Sequence, residues 1–322
     1  MPEKGLFLQN VIAVIWDFDK TLTPEYMQAP IFEAYGVDDQ QFWREVNALP
    51  AYYARSGIHV QPDTCYLGHL LTYVREGRMP GLTNARLREF GATLPFYPGI
   101  PALFARLARI LAQPEFRDGD LRLEHYVVST GIAEIIRGSA IAEHLAGIWA
   151  SEFIESPALP GADLEARPQP GEISQIAGFL DNTTKTRAIF EINKGVNKLP
   201  QITVNDRIPE EERRVPIRHM LYIADGPSDI PSFSVIRKHG GHAFAVYDPR
   251  SEDRFRQAAG LLEQGRVDDY GPCDYQEGSH TEMWLRLQVE NIARRIMADR
   301  KRALESRVTS GPTHIHDEQE RL

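Results

Sequence analysis

The sequence predicts an α/β protein: a Rossmann-like parallel sheet with helices on both faces and a helical cap inserted after the first strand. Three observations carry that expectation. The unbroken apolar run Val11–Trp16 stops at Asp17, and the run Met220–Ala224 stops at Asp225, as buried parallel strands do when they deliver polar groups to the carboxyl edge of a sheet. A third short run, 125–128, ends in Ser129, Thr130 and Gly131 and leads into the helical-looking segment 132–137. From 24 to 96 the strand-like runs give way to aromatic-rich patches such as 41–46 and 66–74, which suit helices better than strands.

The first element carries the most chemistry. Side chains at i and i+2 of an extended segment point the same way, so Asp17 and Asp19 are expected to face one site. Two carboxylates about 4 Å apart repel by roughly 4 kcal/mol at an effective dielectric near 20, so the pair needs a cation or a proton. A hard divalent ion such as Mg²⁺ would leave one Asp as an anionic nucleophile. A shared proton would raise the pKa of the other and suit it to general acid/base work. A strand followed by an Asp-rich turn is the plain alternative.

In the second element, backbone N–H groups at a helix start and the Ser129 hydroxyl would make an anion site, although Ser-Thr-Gly after a strand also serves simply as a helix cap. The third begins at Lys185, where Ile189, Ile192 and Val196 recur at helical spacing behind the candidate cap Thr184. A cation at the positive end of a helix calls for an anion opposite, unless the lysine is only a solvated surface group. In the fourth, Asp225 ends a strand as Asp17 does, Gly226 permits a tight turn, Ser228 is placed to cap the next helix and Pro231 suits its first turn. Asp225 is the candidate further metal carboxylate. Asp229 either faces the helix dipole or holds Lys185 and the metal shell.

These four segments together resemble the haloacid dehalogenase-like superfamily, nearest its phosphoserine-phosphatase-like branch. Asp17-Phe18-Asp19-Lys20-Thr21 matches its Asp-x-Asp-x-Thr element, Ser129 its strand-terminal Ser/Thr, Lys185 its lysine and Asp225-Gly226-Pro227-Ser228-Asp229 its Asp-Gly-x-x-Asp element. The resemblance spans about residues 11 to 247, and four elements in order are far more specific than one. It implies Asp17 as nucleophile through an aspartyl-phosphate, Asp19 as acid/base, and Ser129, Thr130, Gly131 and Lys185 holding the phosphoryl group. It further implies Mg²⁺ held by Asp17, Asp19 through its backbone carbonyl, and Asp225, with Asp229 in the metal site or supporting the lysine.

Two departures stand out. Lys20 replaces the small residue often found there, and residues 19–23 also resemble the Asp-Lys-Thr-Gly-Thr of P-type ATPases, which would make Asp19 the nucleophile. No stretch approaches the ~18 apolar residues of a membrane helix, and the apolar run ends at Asp17, so Asp17 is kept. The segment 196–218 is long and charged and is expected to be a surface loop or flap.

At 322 residues the chain is long enough for a large core, and its net charge of −9 disfavours nucleic acid and anionic membranes as partners. Two scattered cysteines, Cys65 and Cys273, and an N-terminus without the pattern of an export signal point to the cytoplasm. The expected organisation is an α/β core over 1–23 and 97–275, a helical cap over 24–96, a C-terminal helix over 276–308 and a disordered tail over 309–322. Region 149–180, rich in Pro and Gly, is expected to form strands or loops. In the cap, Trp43, Arg44, Tyr52, Tyr53, Arg55 and His59 are pocket candidates, although most of the aromatics suit the cap's own core. Leu285, Val289, Ile292, Ile296 and Ala303 form a helical stripe suited to packing on the core, and His314 and His316 read as tail residues.

The function so implied is a Mg²⁺-dependent phosphatase acting on a small phosphorylated metabolite. Phosphoryl transfer to a second acceptor, as in a mutase, a dehalogenase activity, and a non-catalytic protein that binds phosphorylated ligands are the alternatives.

Overall fold

The computed structural model describes residues 7–308. The tail expected at 309–322, with His314 and His316, lies outside the described residues. Seven strands form one sheet: β1 (Val11–Trp16), β2 (Arg122–Ile132), β3 (Leu145–Ile154), β4 (Gln175–Gly178), β5 (Met220–Ala224), β6 (His242–Tyr247) and β7 (Asp269–Pro272). Their order is β4-β3-β2-β1-β5-β6-β7, all parallel except the edge strand β4. The α/β class and the parallel sheet are as the sequence predicts. No described helix is long and apolar enough to cross a membrane.

β1 is central because all six of its residues are buried. Ile12, Val14 and Trp16 belong to one apolar cluster and Val11, Ala13 and Ile15 to another, as the two-residue period of a strand requires. The second cluster is closed by α7 (Lys185–Lys194), α8 (Ile230–Lys238) and α9 (Glu252–Glu263). The first is closed by α5 (Ala102–Ile110), α6 (Ala133–Gly138) and α10 (His280–Val308), and by the helices inserted after β1. Those are α1 (Ala29–Tyr35), α2 (Asp39–Ala54), α3 (Cys65–Arg75) and α4 (Asn84–Gly91). Asp38 and Thr83 cap α2 and α4 by accepting from the N–H of Gln41 and Arg86. Phe42, Leu67, Leu70 and Leu87 of the insert share one continuous apolar cluster with Ile12, Val14 and Trp16.

Several local expectations are corrected. Ser129, Thr130 and Gly131 lie inside β2 and not in a turn opening a helix. A break in the β2–β3 register between Val128 and Ile132 lets the strand run on. Helix α7 stops at Lys194 because Gly195 takes φ 83° and its N–H closes onto the Glu191 and Ile192 carbonyls, which leaves Val196 outside. Thr184 offers no cap to α7. The Asp181 carboxylate accepts from the N–H of Thr183 and Thr184 instead. Segment 196–218 is largely the surface loop expected, with 205–207 and 209–211 exposed, and it is not a flap over the sheet's carboxyl edge. Arg214 is buried against Glu124 and Tyr126 near the start of β2, Asn193 donates to the Val215 carbonyl, and Lys198 reaches the Ala146 carbonyl on β3, all at the opposite edge. Along α10, Leu285, Val289, Ile292 and Ile296 are buried, but Ala303 is exposed.

Candidate active site

The four signature segments converge at the carboxyl edge of the sheet. β1 lies between β2 and β5, with Trp16 level with Val127 on one side and Ile223 on the other, and Asp17 donates its N–H to the Ile223 carbonyl at 2.9 Å. Asp17, Ser129 and Asp225 therefore emerge together. They border a cavity of about 280 Å³ with Asp19, Thr130 and Lys185.

Lys185 is the organising charge. It is only 1 % exposed, and its Nζ donates to Asp17 Oδ1 and Asp229 Oδ1, each at 2.8 Å. It is not a surface lysine. Burial works against its charge, but the carboxylates of Asp17 and Asp229 outweigh burial and hold its pKa well above the ordinary value. The anion anticipated opposite this helix-entrance cation is thus a pair of carboxylates.

Asp229 is fully buried and has its oxygens satisfied. Oδ1 accepts from Lys185 and from the Tyr222 hydroxyl at 2.7 Å, and Oδ2 accepts from the Ser228 hydroxyl at 2.8 Å. Its contacts are those of a group that fixes the lysine, and it does not border the cavity. Ser228, expected as a helix cap, spends its hydroxyl on Asp229 instead.

Asp19 is held by the backbone N–H of Met27, 2.8 Å from its Oδ1. Burial raises its pKa from 3.8 to about 7, with the Met27 hydrogen bond opposing. Burial also raises Asp17 well above 3.8, the neighbouring carboxylates Asp229 and Asp225 adding to it against Lys185. Burial, with Asp229 next, brings Asp225 to about 6. Carboxylate oxygens of Asp17, Asp225 and Asp229 lie within 4.8 Å of one another, and the Asp19 carboxylate lies outside that group. Within that group Lys185 contacts Asp17 and Asp229, and Asp225 has only the more distant Arg254, at 3.8 Å. Hard oxygen donors with surplus negative charge fit a divalent cation such as Mg²⁺, with Asp17 and Asp225 facing the cavity to hold it.

Ser129 Oγ is buried and accepts from the Gly131 N–H at 3.0 Å. Thr130 borders the cavity, and its carbonyl is fixed by the Tyr66 hydroxyl of α3 at 2.9 Å. Gly131 does not border it. An added Cβ would lie 2.2 Å from Met27 Cε, so this glycine admits the methionine at that point.

The insert supplies different residues from those expected. Trp43 packs among Tyr26, Phe42 and Tyr66, and Arg44, Tyr52, Arg55 and His59 are exposed away from the cavity. Tyr53 borders a separate cavity between α2, α3 and β4. The insert reaches the site through Tyr26 and Asp63, and the core adds Lys20, Asn182 and Arg254. Arg254 was legible in principle, because it follows another apolar strand and the Ser251 cap of α9. Asp63 sits on a connecting segment with no pattern to mark it.

No family model matches the chain. An uncharacterized protein of Borreliella burgdorferi is 36 % identical over 283 residues, which are 86 % of this chain and 96 % of that protein. The chain belongs to that protein's family. Among solved structures, a HAD family hydrolase from Salmonella enterica serovar Typhi is 13 % identical with a TM-score of 0.46, over 84 % of this chain and 68 % of its own. A probable phosphoserine phosphatase from Vibrio cholerae is 14 % identical with a TM-score of 0.47, over 90 % and 68 %. The α/β architecture expected from the motifs is present in the chain itself, with its mostly parallel sheet, helices on both faces and a helical insert after β1.

Proposed function

We propose that the protein is a Mg²⁺-dependent phosphatase of small phosphomonoesters, with Asp17 as nucleophile. The observation that carries this reading is the Lys185 ammonium, buried and held 2.8 Å from Asp17 at the floor of an acidic cavity. An ammonium so placed favours the ionised form of Asp17 against the effect of burial and presents positive charge where phosphoryl oxygens would lie.

Asp17 attacks phosphorus while the bond to the leaving oxygen breaks. Asp19, whose pKa lies near 7, donates its proton to that oxygen. An aspartyl-phosphate on Asp17 results. Asp19, now ionised, takes a proton from water as the water attacks the same phosphorus, which frees Asp17 and releases phosphate. Ser129 and the exposed edge of Thr130 orient the phosphoryl oxygens, and Asp229 fixes Lys185 through both reactions. Mg²⁺, held by Asp17, Asp225 and the Asp19 carbonyl, would neutralise charge developing on the phosphoryl group. The insert borders one side of the cavity through Tyr26 and Asp63. A cytoplasmic setting is part of the same reading, supported by two free thiols.

Phosphate release from a panel of phosphomonoesters, with Mg²⁺ and with EDTA, tests the reading. Turnover with Mg²⁺, loss in EDTA and loss in Asp17→Asn are expected. An Asp17→Asn protein that turns over at the parent rate removes Asp17 as nucleophile. Transfer of the phosphoryl group to an added alcohol in place of water would recast the enzyme as a transferase.

A further inference from the structure

Beside the catalytic cavity lies a chamber of about 160 Å³ that the phosphatase chemistry does not use. Lys20, Asp225 and Arg254 border both spaces, so the two adjoin. The chamber's remaining walls include Tyr97, Tyr247, Asp248 and Ser251.

Its hydrogen-bonding capacity is mostly donor. Arg254 uses Nη1 on Gln257 Oε1 at 3.1 Å and stands 3.8 Å from Asp225, and its Nε and Nη2 have no hydrogen-bond partner among the described residues. Lys20 spends one of its three donors on the Pro24 carbonyl at 2.6 Å, with its ammonium over the Tyr26 ring. The Tyr97 hydroxyl is buried, and the neighbour it has is the Cys273 thiol, a poor acceptor. A buried hydroxyl left in that state is rare in a folded protein. Of the two acids in the chamber wall, Asp248 is matched by Arg250, which approaches it at 2.7 and 2.9 Å, and Asp225 faces the catalytic cavity as well. Asp63, the acid contributed by the insert, borders the catalytic cavity and not the chamber. Lys20 also keeps φ 61°, a conformation that favours glycine. A lysine stands there against its backbone preference.

Resting on the phosphatase reading above, we propose that this chamber receives a second anionic group of the substrate, so that the preferred class is a phosphomonoester whose leaving group carries a carboxylate or another phosphoryl group. Arg254 and Lys20 supply the charge and Tyr97 a fixed hydroxyl donor. Asp63 disfavours the same group on the side of the insert.

Three esters separate the possibilities by steady-state kinetics: glycerol 3-phosphate with a neutral leaving group, 3-phosphoglycerate with a carboxylate and fructose 1,6-bisphosphate with a second phosphoryl group. A kcat/KM at least tenfold higher for one of the two charged esters is expected, and which one identifies the group. Arg254→Gln and Lys20→Gln should each reduce that preference about tenfold, mainly through KM, as loss of a hydrogen bond to a charged group does. Tyr97→Phe should reduce it severalfold at unchanged melting temperature. Equal or better use of glycerol 3-phosphate, or a preference that survives both charge substitutions, overturns the proposal while leaving the phosphatase reading intact. Binding keeps the two readings apart if nothing turns over. Calorimetric titration should show 3-phosphonopropionate or ethane-1,2-bisphosphonate binding at least tenfold more tightly than propylphosphonate, which carries a methyl group in place of the second anion, and equal affinities for all three reject the chamber's role.

Discussion

Asp19→Asn should change how stability depends on pH, in a direction fixed by burial. In the parent protein Asp19 titrates near 7 when folded and near 3.8 in the ordinary state. Between those values the folded chain holds a proton that the unfolded chain releases, so this residue's contribution to stability falls as pH rises. The stabilisation is complete below about pH 4 and gone above about pH 7. At about 1.4 kcal/mol for each tenfold change in proton affinity, the loss between pH 5 and pH 8 is about 3 kcal/mol. Asn keeps a carbonyl oxygen for the Met27 N–H and has no proton to lose. The measured quantity is the difference between variant and parent, because buried His125 and His219, each held neutral with a pKa of about 3, impose an opposite slope on both proteins. Urea unfolding of both in EDTA at pH 5, 6, 7 and 8 should show the variant gaining about 3 kcal/mol relative to the parent across that range. A difference constant to within about 0.5 kcal/mol would refute the claim that Asp19 holds a proton because it is buried.

Lys185→Met leaves Asp17 and Asp229 facing each other without their shared cation. A loss of about 3–5 kcal/mol near neutral pH is expected from denaturant unfolding, together with loss of turnover, and a variant as stable as the parent would contradict the ion-pair geometry. Arg214→Met strands Glu124 at the opposite edge of the sheet, so stability should fall by about 3–5 kcal/mol while kcat on any accepted ester stays at the parent value. Gly131→Ala drives a methyl group into Met27 and should cost about 1–3 kcal/mol. Combined with Met27→Ala it should cost less than the sum of the single changes, as measured by a double-mutant cycle.

The parts of the molecule governed by short-range pattern were legible in the chain. Val11–Trp16 and Met220–Ala224 could be read as buried strands because continuous apolar runs ending in acids have few other uses, and the resemblance then brought Asp17, Ser129, Lys185 and Asp225 to one edge. What the pattern could not give was the partner of each polar atom. Ser228 reads equally well as a helix cap, and only the fold brings its hydroxyl to Asp229. Gly131 reads as a phosphate-loop glycine, and only the approach of Met27, 104 positions earlier, shows it to be a packing glycine. The charged run 210–214 reads as a flap until Arg214 meets Glu124 across the molecule. In the insert, aromatic spacing reports the core, as at Trp43, whereas the residues that border the cavity, Tyr26 and Asp63, lie outside its helices and carry no such pattern.

The apolar cluster that runs unbroken from the insert's helices into β1 limits what the insert can do as a moving part. A lid that swings as a rigid body needs a seam of water or loosely packed atoms to separate along, and here the seam would pass between Phe42, Leu67 or Leu87 and the strand that bears Asp17. Opening it widely would expose the protein's own interior. The short segments around Tyr26 and Asp63 border the cavity without belonging to that cluster, and an attempt to exchange the whole insert for one from another enzyme would cut into the protein's core.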